Sequence, residues 1–181
     1  TGKPIHSLLP LRYGLLIFDA QGITQLKGSG QSVAISATDA FAEVQGYTSV
    51  APIQPIAINL DVIYTTELFT EVNAMVYTEY TNSFKTQDIS ILSSHLFGEG
   101  RGIKKMTWLP EPHKLVTFIR EDGQLISLTY ESTQDVYAWG RQRTRGEYLN
   151  HTMLRENKHC VLYQSNLREL LGAEVMTIER E

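Results

Sequence analysis

Cysteine is nearly absent from this sequence, in which Cys160 is the single example among 181 residues. One cysteine excludes an intrachain disulfide and any zinc site built from several cysteines. Long apolar runs are absent as well, because stretches such as Leu15 to Phe18 and Met75 to Tyr77 fall far short of the roughly 20 residues that a membrane-crossing helix needs. We therefore predict no membrane span, and we expect an ordinary hydrophobic core to stabilise the fold.

Charged residues are few, and acidic residues slightly outnumber basic ones. Charged residues make up 20% of the chain, with 16 Lys and Arg against 20 Asp and Glu, which gives a net charge of −4. This balance argues against a protein whose whole surface binds nucleic acid, and it leaves local basic patches open. The 13 glycines and the many Thr, Ser, Val, Ile and Tyr residues favour strands and turns. We predict a mainly β protein.

Motifs of nucleotide-binding, hydrolytic and metal-binding proteins are missing. Gly28-Ser29-Gly30 lacks the Lys and the spacing of a phosphate-binding loop, and the chain has neither a GxSxG elbow nor an EF-hand loop. The histidines show neither the i, i+4 helical spacing nor the clustering that a metal site needs; they are His6, His95, His113, His151 and His159. We predict no metal site and no cofactor.

Two adjacent pairs of reactive residues have structural explanations. If His159 and Cys160 lie on one strand, their side chains point to opposite faces, which argues against a base and its nucleophile. Asp122, which follows Glu121, has a sufficient role in a hairpin turn. We predict that the chain is not an enzyme.

The clearest β pattern is a four-stranded meander over residues 103–143, where short apolar runs are separated by turn signals at intervals of about ten residues. At its centre, Asp122-Gly123 predicts a two-residue type I′ turn, because both positions of that turn take positive φ. Residues whose numbers sum to 245 then face each other: Ile119 with Ile126, Thr117 with Leu128, Leu115 with Tyr130, and Phe118 with Ser127. Trp108 and Trp139 are expected on the outer strands.

Similar strand patterns recur along the chain. They are Leu15 to Asp19 with Ile23 to Leu26, Ile56 to Tyr64 with Val72 to Tyr80, and Cys160 to Tyr163 with Glu174 to Ile178. One such sheet cannot cover both of its faces alone, so the recurrence predicts antiparallel meanders in a propeller-like arrangement. We treat residues 1–181 as one β-rich unit and expect it to be part of a longer chain.

One or two short helices are predicted among the strands. Thr86 to Phe97 places Ile89, Leu92 and Leu96 on one helical face and ends at Gly98. A second helix is predicted from Ser165 to Leu171, with Gly172 closing it.

A candidate interface comes from three alternating arginines, Arg141, Arg143 and Arg145. On an extended strand they share one face, and their guanidinium groups suit phosphates, carboxylates or a neighbouring subunit. The alternative is a solvated sheet end or an edge protected by charge.

Part of this chain resembles a recurrent stretch in structural proteins of tailed bacteriophages and prophages. The residues that carry the resemblance are Trp108, Leu115 to Tyr130 and Val136 to Arg141. Gln45 to Ser49 and Asp88 to Phe97 are similar to that family in the same order. The resemblance covers nearly the whole chain, is most specific over residues 86–141, and points to the nozzle or tail-tube proteins of short-tailed phages.

This resemblance implies a broken or complete β-propeller without catalytic residues, assembled as a ring below the portal and adaptor. The implied partners are other copies of the chain, the adjacent adaptor or portal-proximal ring, tail fibres, and double-stranded DNA that passes without sequence-specific recognition. The implied location is the tail of the virion, after synthesis in the cytoplasm of the host bacterium.

Two other functions remain open from the sequence. A carbohydrate-binding or glycoside-cleaving propeller would use Trp108, Trp139 and the many tyrosines to stack on sugars. Core packing explains the same aromatic residues more simply. The third alternative is a protein-binding β module of a bacterial host.

Overall fold

The computed structural model describes residues 4–29, 35–78, 80–81, 83–98, 100–157 and 159–180. Gly30 of the predicted Gly28-Ser29-Gly30 loop and Glu181 at the end of the sequence lie outside the described residues. The chain divides into two compact units, residues 1–98 and 99–181. Both units are built from antiparallel sheets, which confirms the mainly β class. No helix among the described residues is long and apolar enough to cross a membrane.

The first unit contains two four-stranded sheets. Sheet 1 consists of β1 Ile5–Leu11, β2 Gly14–Asp19, β3 Gly22–Lys27 and β4 Phe41–Gly46. Sheet 2 consists of β5 Ile56–Ile58, β6 Asp61–Thr65, β7 Val72–Thr78 and β8 Ser83–Asp88. In each sheet the strands lie in sequence order and every neighbouring pair is antiparallel.

The second unit contains one four-stranded and one three-stranded sheet. Sheet 3 consists of β9 Ile103–Leu109, β10 Leu115–Arg120, β11 Leu125–Glu131 and β12 Val136–Gln142, so the meander predicted over residues 103–143 is confirmed. Trp108 lies on β9 and Trp139 on β12, the two outer strands, as predicted. Sheet 4 consists of β13 Glu147–Glu156, β14 His159–Leu170 and β15 Ala173–Arg180.

A buried apolar cluster stabilises the first unit, and β6 within it is buried along its whole length. It contains side chains from both sheets and from the connection between them: Leu16, Phe18, Ile23, Val50, Val62, Tyr64, Met75 and Phe84. At its margin the ring of Tyr13 stacks on that of Tyr77, with centroids 3.9 Å apart. In the second unit, Ile119, Leu125 and Tyr148 form a smaller buried cluster.

The β10–β11 hairpin forms, but its predicted register is wrong by one residue. Ile119 lies opposite Leu125, and Phe118 lies opposite Ile126, so paired residue numbers sum to 244. The loop has three residues, because the N–H of Arg120 donates to the carbonyl of Gln124 at 2.9 Å. Only its last residue, Gly123, has positive φ, at 72°. This is a turn followed by a left-handed glycine rather than the type I′ turn predicted from Asp122-Gly123.

The corrected register changes which side chains share a face. Phe118 and Ile126 now lie on one face with Val116 and Leu128. The predicted pairs Ile119 with Ile126, Thr117 with Leu128, Leu115 with Tyr130 and Phe118 with Ser127 are therefore all wrong. The observed face is more uniformly apolar than the predicted one, which explains why it is selected.

The helix predicted from Thr86 to Phe97 is wrong in its first part. Residues 86–88 belong to β8, and only a 3₁₀ helix, Ile91–Leu96, follows. The carboxylate of Asp88 accepts hydrogen bonds from the N–H of Ser90 at 2.7 Å and from its hydroxyl at 2.6 Å. Such local side-chain bonds compete with helix formation. Leu92 is exposed, whereas Ile89 and Leu96 are buried.

The helix predicted from Ser165 to Leu171 is also wrong, because β14 continues to Leu170 between two partner strands. Leu171 and Gly172 both have positive φ and form the turn to β15, so Gly172 ends a strand rather than a helix. The strand predicted from Ile56 to Tyr64 is likewise two strands, since the chain turns at Asn59, which has a φ of 57°.

Gly123→Val tests the turn at the centre of sheet 3. A β-branched residue is strained at positive φ, and its Cβ would lie 2.6 Å from the Cβ of Glu147. We expect the free energy of unfolding to fall by about 1 to 3 kcal/mol. Urea denaturation followed by tryptophan fluorescence measures it, since both tryptophans lie in sheet 3. Gly46→Ala, whose added Cβ meets nothing within 4 Å, is the control. An unchanged midpoint for Gly123→Val would contradict this turn.

Candidate functional site

The candidate interface of Arg141, Arg143 and Arg145 lies at the edge of sheet 3. Arg141 is on β12, an outer strand, and the other two arginines follow in the connection to β13. All three are exposed, and they alternate with half-buried Gln142 and Thr144. The hydroxyl of Thr144 accepts a hydrogen bond of 2.9 Å from a guanidinium nitrogen of Arg168. The strand ends at Gln142, so the predicted extended strand through Arg145 is correct only for its first part. We call residues 141–145 the arginine segment.

The three arginines of this segment are not neutralised by direct ion pairs with described residues. Within the described ranges, none of the ion pairs involves Arg141, Arg143 or Arg145. An exposed guanidinium is planar and always charged, and it can bind a carboxylate or a phosphate through two parallel hydrogen bonds. The segment is thus chemically suited to an acidic partner, and its role as an interface stays a prediction.

The residue pairs weighed as catalytic groups are separated or already engaged. His159 is exposed and Cys160 is half-buried, and as neighbours on β14 they point to opposite faces. Partial burial tends to raise the pKa of Asp122, but hydrogen bonds from Arg120 and from the N–H of Gln124 outweigh it and lower that pKa below its usual range. Among the described residues, no group of three His, Cys, Asp or Glu side chains is placed to hold a metal ion.

A row of buried polar side chains in sheet 4 escaped the sequence analysis. His151 on β13 faces Gln164 on β14, and Asn166 lies two residues further along the same face. His151 and Asn166 are 2% and 0% exposed. Neither ring nitrogen of His151 and neither amide atom of Asn166 has a hydrogen-bond partner in the protein. A strand pattern of alternating polar residues normally indicates a solvated face, so the sequence carried no signal that this face is covered.

The surroundings of His151 keep it neutral. Burial lowers its pKa from 6.5 to about 4, with a smaller contribution from the positive charge of Lys105. The ammonium of Lys105 donates to the side-chain oxygen of Asn150, the residue before His151, at 2.8 Å. A charged imidazolium would be costly at this position because it would lose its hydration without gaining a partner.

A cavity of about 280 Å³ lies beside this row. It is lined by Lys105, Asn150, His151, Thr152, Tyr163, Gln164, Ser165 and Ile178. Asn150, Thr152, Tyr163 and Ser165 face away from His151, because they alternate with the buried row along β13 and β14. The phenol of Tyr163 donates to the carboxylate of Glu156 at 2.5 Å. The side chains of Thr152, Tyr163 and Ser165 thus lie on the face of sheet 4 opposite that of the imidazole.

One cavity in the second unit bears on the glycoside-cleaving alternative, because three carboxylates line it. Glu147, Glu169 and Glu174 line a cavity of about 360 Å³, but the described residues around it include no aromatic side chain. Trp108 and Trp139 are half-buried. The ring of Trp139 packs against that of buried Phe118, with centroids 5.3 Å apart. This contact supports core packing, rather than stacking on a sugar, as the role of Trp139.

One end of the first unit carries exposed apolar side chains beside carboxylates. Tyr47, Leu68, Ile91 and Leu92 are 86%, 76%, 69% and 94% exposed. The segments that carry them meet there, since the N–H of Glu67 donates to the carbonyl of Ser49 at 3.1 Å and the N–H of Gly98 donates to that of Phe69 at 2.9 Å. We call this surface, with Glu67 and Glu71, the acidic–apolar end.

Comparison with known proteins identifies no family for this chain. A scan against protein-family models finds no match for the chain, and a search of curated proteins finds none either. The likeness to phage tail proteins therefore depends on the residue pattern alone, which is most specific over residues 86–141.

His151 predicts a pH dependence of stability. Above pH 6.5 the imidazole is neutral in both the folded and the unfolded chain. As the pH falls below 6.5, the unfolded chain binds a proton that the folded chain does not bind until about pH 4. The free energy of unfolding therefore falls through this window, by about 3 kcal/mol in all.

Denaturation of wild type and His151→Gln across this pH window measures the effect. We expect the variant to lose this part of the pH dependence, and His159→Gln, which changes an exposed residue, to keep it. If the free energy of unfolding changes equally with pH in wild type and in His151→Gln, the pKa of His151 is the same in the folded and the unfolded chain, and the prediction is wrong.

Proposed function

We propose that the chain is a structural, non-catalytic component of a phage tail nozzle or tube and that it contributes to a ring-shaped conduit for the genome. The proposal includes a propeller-like arrangement of the sheets and contacts with other copies of the chain. It also includes contacts with neighbouring tail proteins, namely the adaptor or portal-proximal ring and the fibres.

The observation that carries the proposal is the architecture of consecutive meanders. Each of the four sheets is formed by strands that follow one another in sequence, and three of the sheets have four strands. Four-stranded antiparallel meanders are the units from which propeller blades are built. Repeated stiff sheets joined by loops suit a scaffold that binds its neighbours through loops and edges.

Exposed apolar surface supports an assembled state. On sheet 4, Leu154, Met176 and Ile178 lie on one face and are exposed. On sheet 1, Leu8 and Val44 lie on one face and are exposed. Apolar side chains grouped on an open face are typical of surfaces that a partner covers.

The charge distribution agrees with a conduit through which DNA slides. Residues 1–100 carry 4 basic and 9 acidic side chains, and residues 101–181 carry 12 basic and 11 acidic ones, so the charge is acidic in one part and mixed in the other. A wall rich in Lys and Arg would bind phosphates strongly and hold the duplex, whereas an acidic or mixed wall would not. Sequence-specific reading of DNA is not part of the proposal.

Sedimentation velocity of the purified chain, across a wide range of concentration, tests the proposal. We expect reversible association into a species larger than a dimer, together with no turnover of polysaccharides. A monomer at every concentration would contradict a ring-forming tail component. Binding or cleavage of a defined glycan by that monomer would favour the carbohydrate alternative.

Charge reversal tests the arginine segment within this proposal. We expect Arg141→Glu, Arg143→Glu and Arg145→Glu, combined in one variant, to weaken association while changing the melting temperature little, because exposed charges contribute little to monomer stability. Lys85→Glu with Lys104→Glu, which reverses two exposed lysines elsewhere, is the control for charge reversal itself. Association of the triple variant at wild-type strength across salt concentrations would show that the segment is ordinary solvated surface.

A further inference from the structure

The acidic–apolar end has the composition of a protein-binding surface. Four large side chains are exposed there, at positions 47, 68, 91 and 92, where a monomer would gain nothing from exposing them. Tyr47 adds an aromatic face with a polar tip, a residue type enriched at energetically important interface positions. Because the side chains come from three separate segments fixed by backbone hydrogen bonds, the surface is preformed.

The carboxylates at this end favour a positively charged partner. Glu67 and Glu71 are both exposed, and they bracket Leu68 in the loop between β6 and β7. Asp19 and Asp88 approach the same end, because the N–H of Val50 donates to the carbonyl of Asp19 and that of Ile89 to the carbonyl of Val72. A complementary partner is cationic and can cover leucine and tyrosine side chains at the same time.

Arginine meets both requirements better than lysine does. Its guanidinium binds carboxylates through paired hydrogen bonds and stacks on aromatic rings, and its aliphatic stem packs on apolar surface. The arginine segment presents three exposed guanidinium groups, and none of them has an ion-pair partner among the described residues. The two surfaces are therefore complementary in charge and in contact chemistry.

We propose that the arginine segment of one copy docks on the acidic–apolar end of a second copy. This inference rests on the proposed function and adds to it the surface that receives the arginines. The contact is heterologous, because different surfaces of the same chain meet. A heterologous contact leaves one free surface of each kind on every dimer, so it propagates into a ring or a filament.

A charge-swap experiment tests the pairing. One variant carries Glu67→Arg with Glu71→Arg, and the other carries Arg141→Glu with Arg143→Glu. Like charges then meet in either variant alone, so each should associate about tenfold or more weakly than wild type. In an equimolar mixture of the two variants, opposite charges meet at every contact, and we expect association to return.

Two further variants separate the contact from effects on folding. Leu68→Ser with Leu92→Ser removes exposed apolar surface and should weaken association without changing the circular dichroism spectrum. Lys85→Glu with Lys104→Glu should leave association unchanged. Raising the salt concentration should weaken wild-type association, since the contact depends on exposed charges.

The outcomes distinguish this inference from the proposed function. If wild type and both charge variants associate equally well, the proposed docking is wrong. The proposed tail function is then unaffected, because the copies associate through other contacts. If each variant fails alone and their mixture also fails, the two surfaces do not bind each other and the inference is overturned. A wild type that stays monomeric at all concentrations overturns both.

Discussion

Hydrogen bonding between strands that follow one another in sequence is the constraint on which the whole structure depends. Every neighbouring strand pair in the four sheets is antiparallel and consecutive, so where a short turn joins two strands, that turn helps to set their register. Left-handed residues set several of these turns, as Asn59, Gly123 and the pair Leu171 and Gly172 show. A change of one residue in a turn reverses which side chains are buried, and the core and the exposed surfaces both follow from this local geometry.

The sequence predicted the architecture better than its details, for a physical reason. Alternating apolar residues and an Asp-Gly pair were enough to locate sheet 3 and the outer strands of Trp108 and Trp139. The register required knowing that Arg120 pairs with Gln124 across three loop residues, and Asp122-Gly123 is compatible with both turns. The predicted helix at residues 165–171 failed because pairing with β13 and β15 overrides a weak local helical pattern.

The surfaces proposed for function were predictable to different degrees. The alternation of Arg141, Arg143 and Arg145 is visible in the sequence, and their exposure agrees with it. The acidic–apolar end was not predictable, because it brings together three segments that are distant in sequence. The buried row of His151 and Asn166 was hidden for a similar reason, since only the packing in the second unit reveals that this face of sheet 4 is covered. The tail component proposed above would carry its function in such combinations of surfaces rather than in a motif.

Electron cryo-microscopy of the assembled chain tests the central claim most directly. The account predicts a closed ring in which copies of the chain surround a channel wide enough for a DNA duplex. It also predicts that the arginine segment of each copy lies against the first unit of its neighbour. A map without a central channel, or one in which the chain lines a glycan-filled cleft, would contradict the assignment of this β protein to a genome conduit.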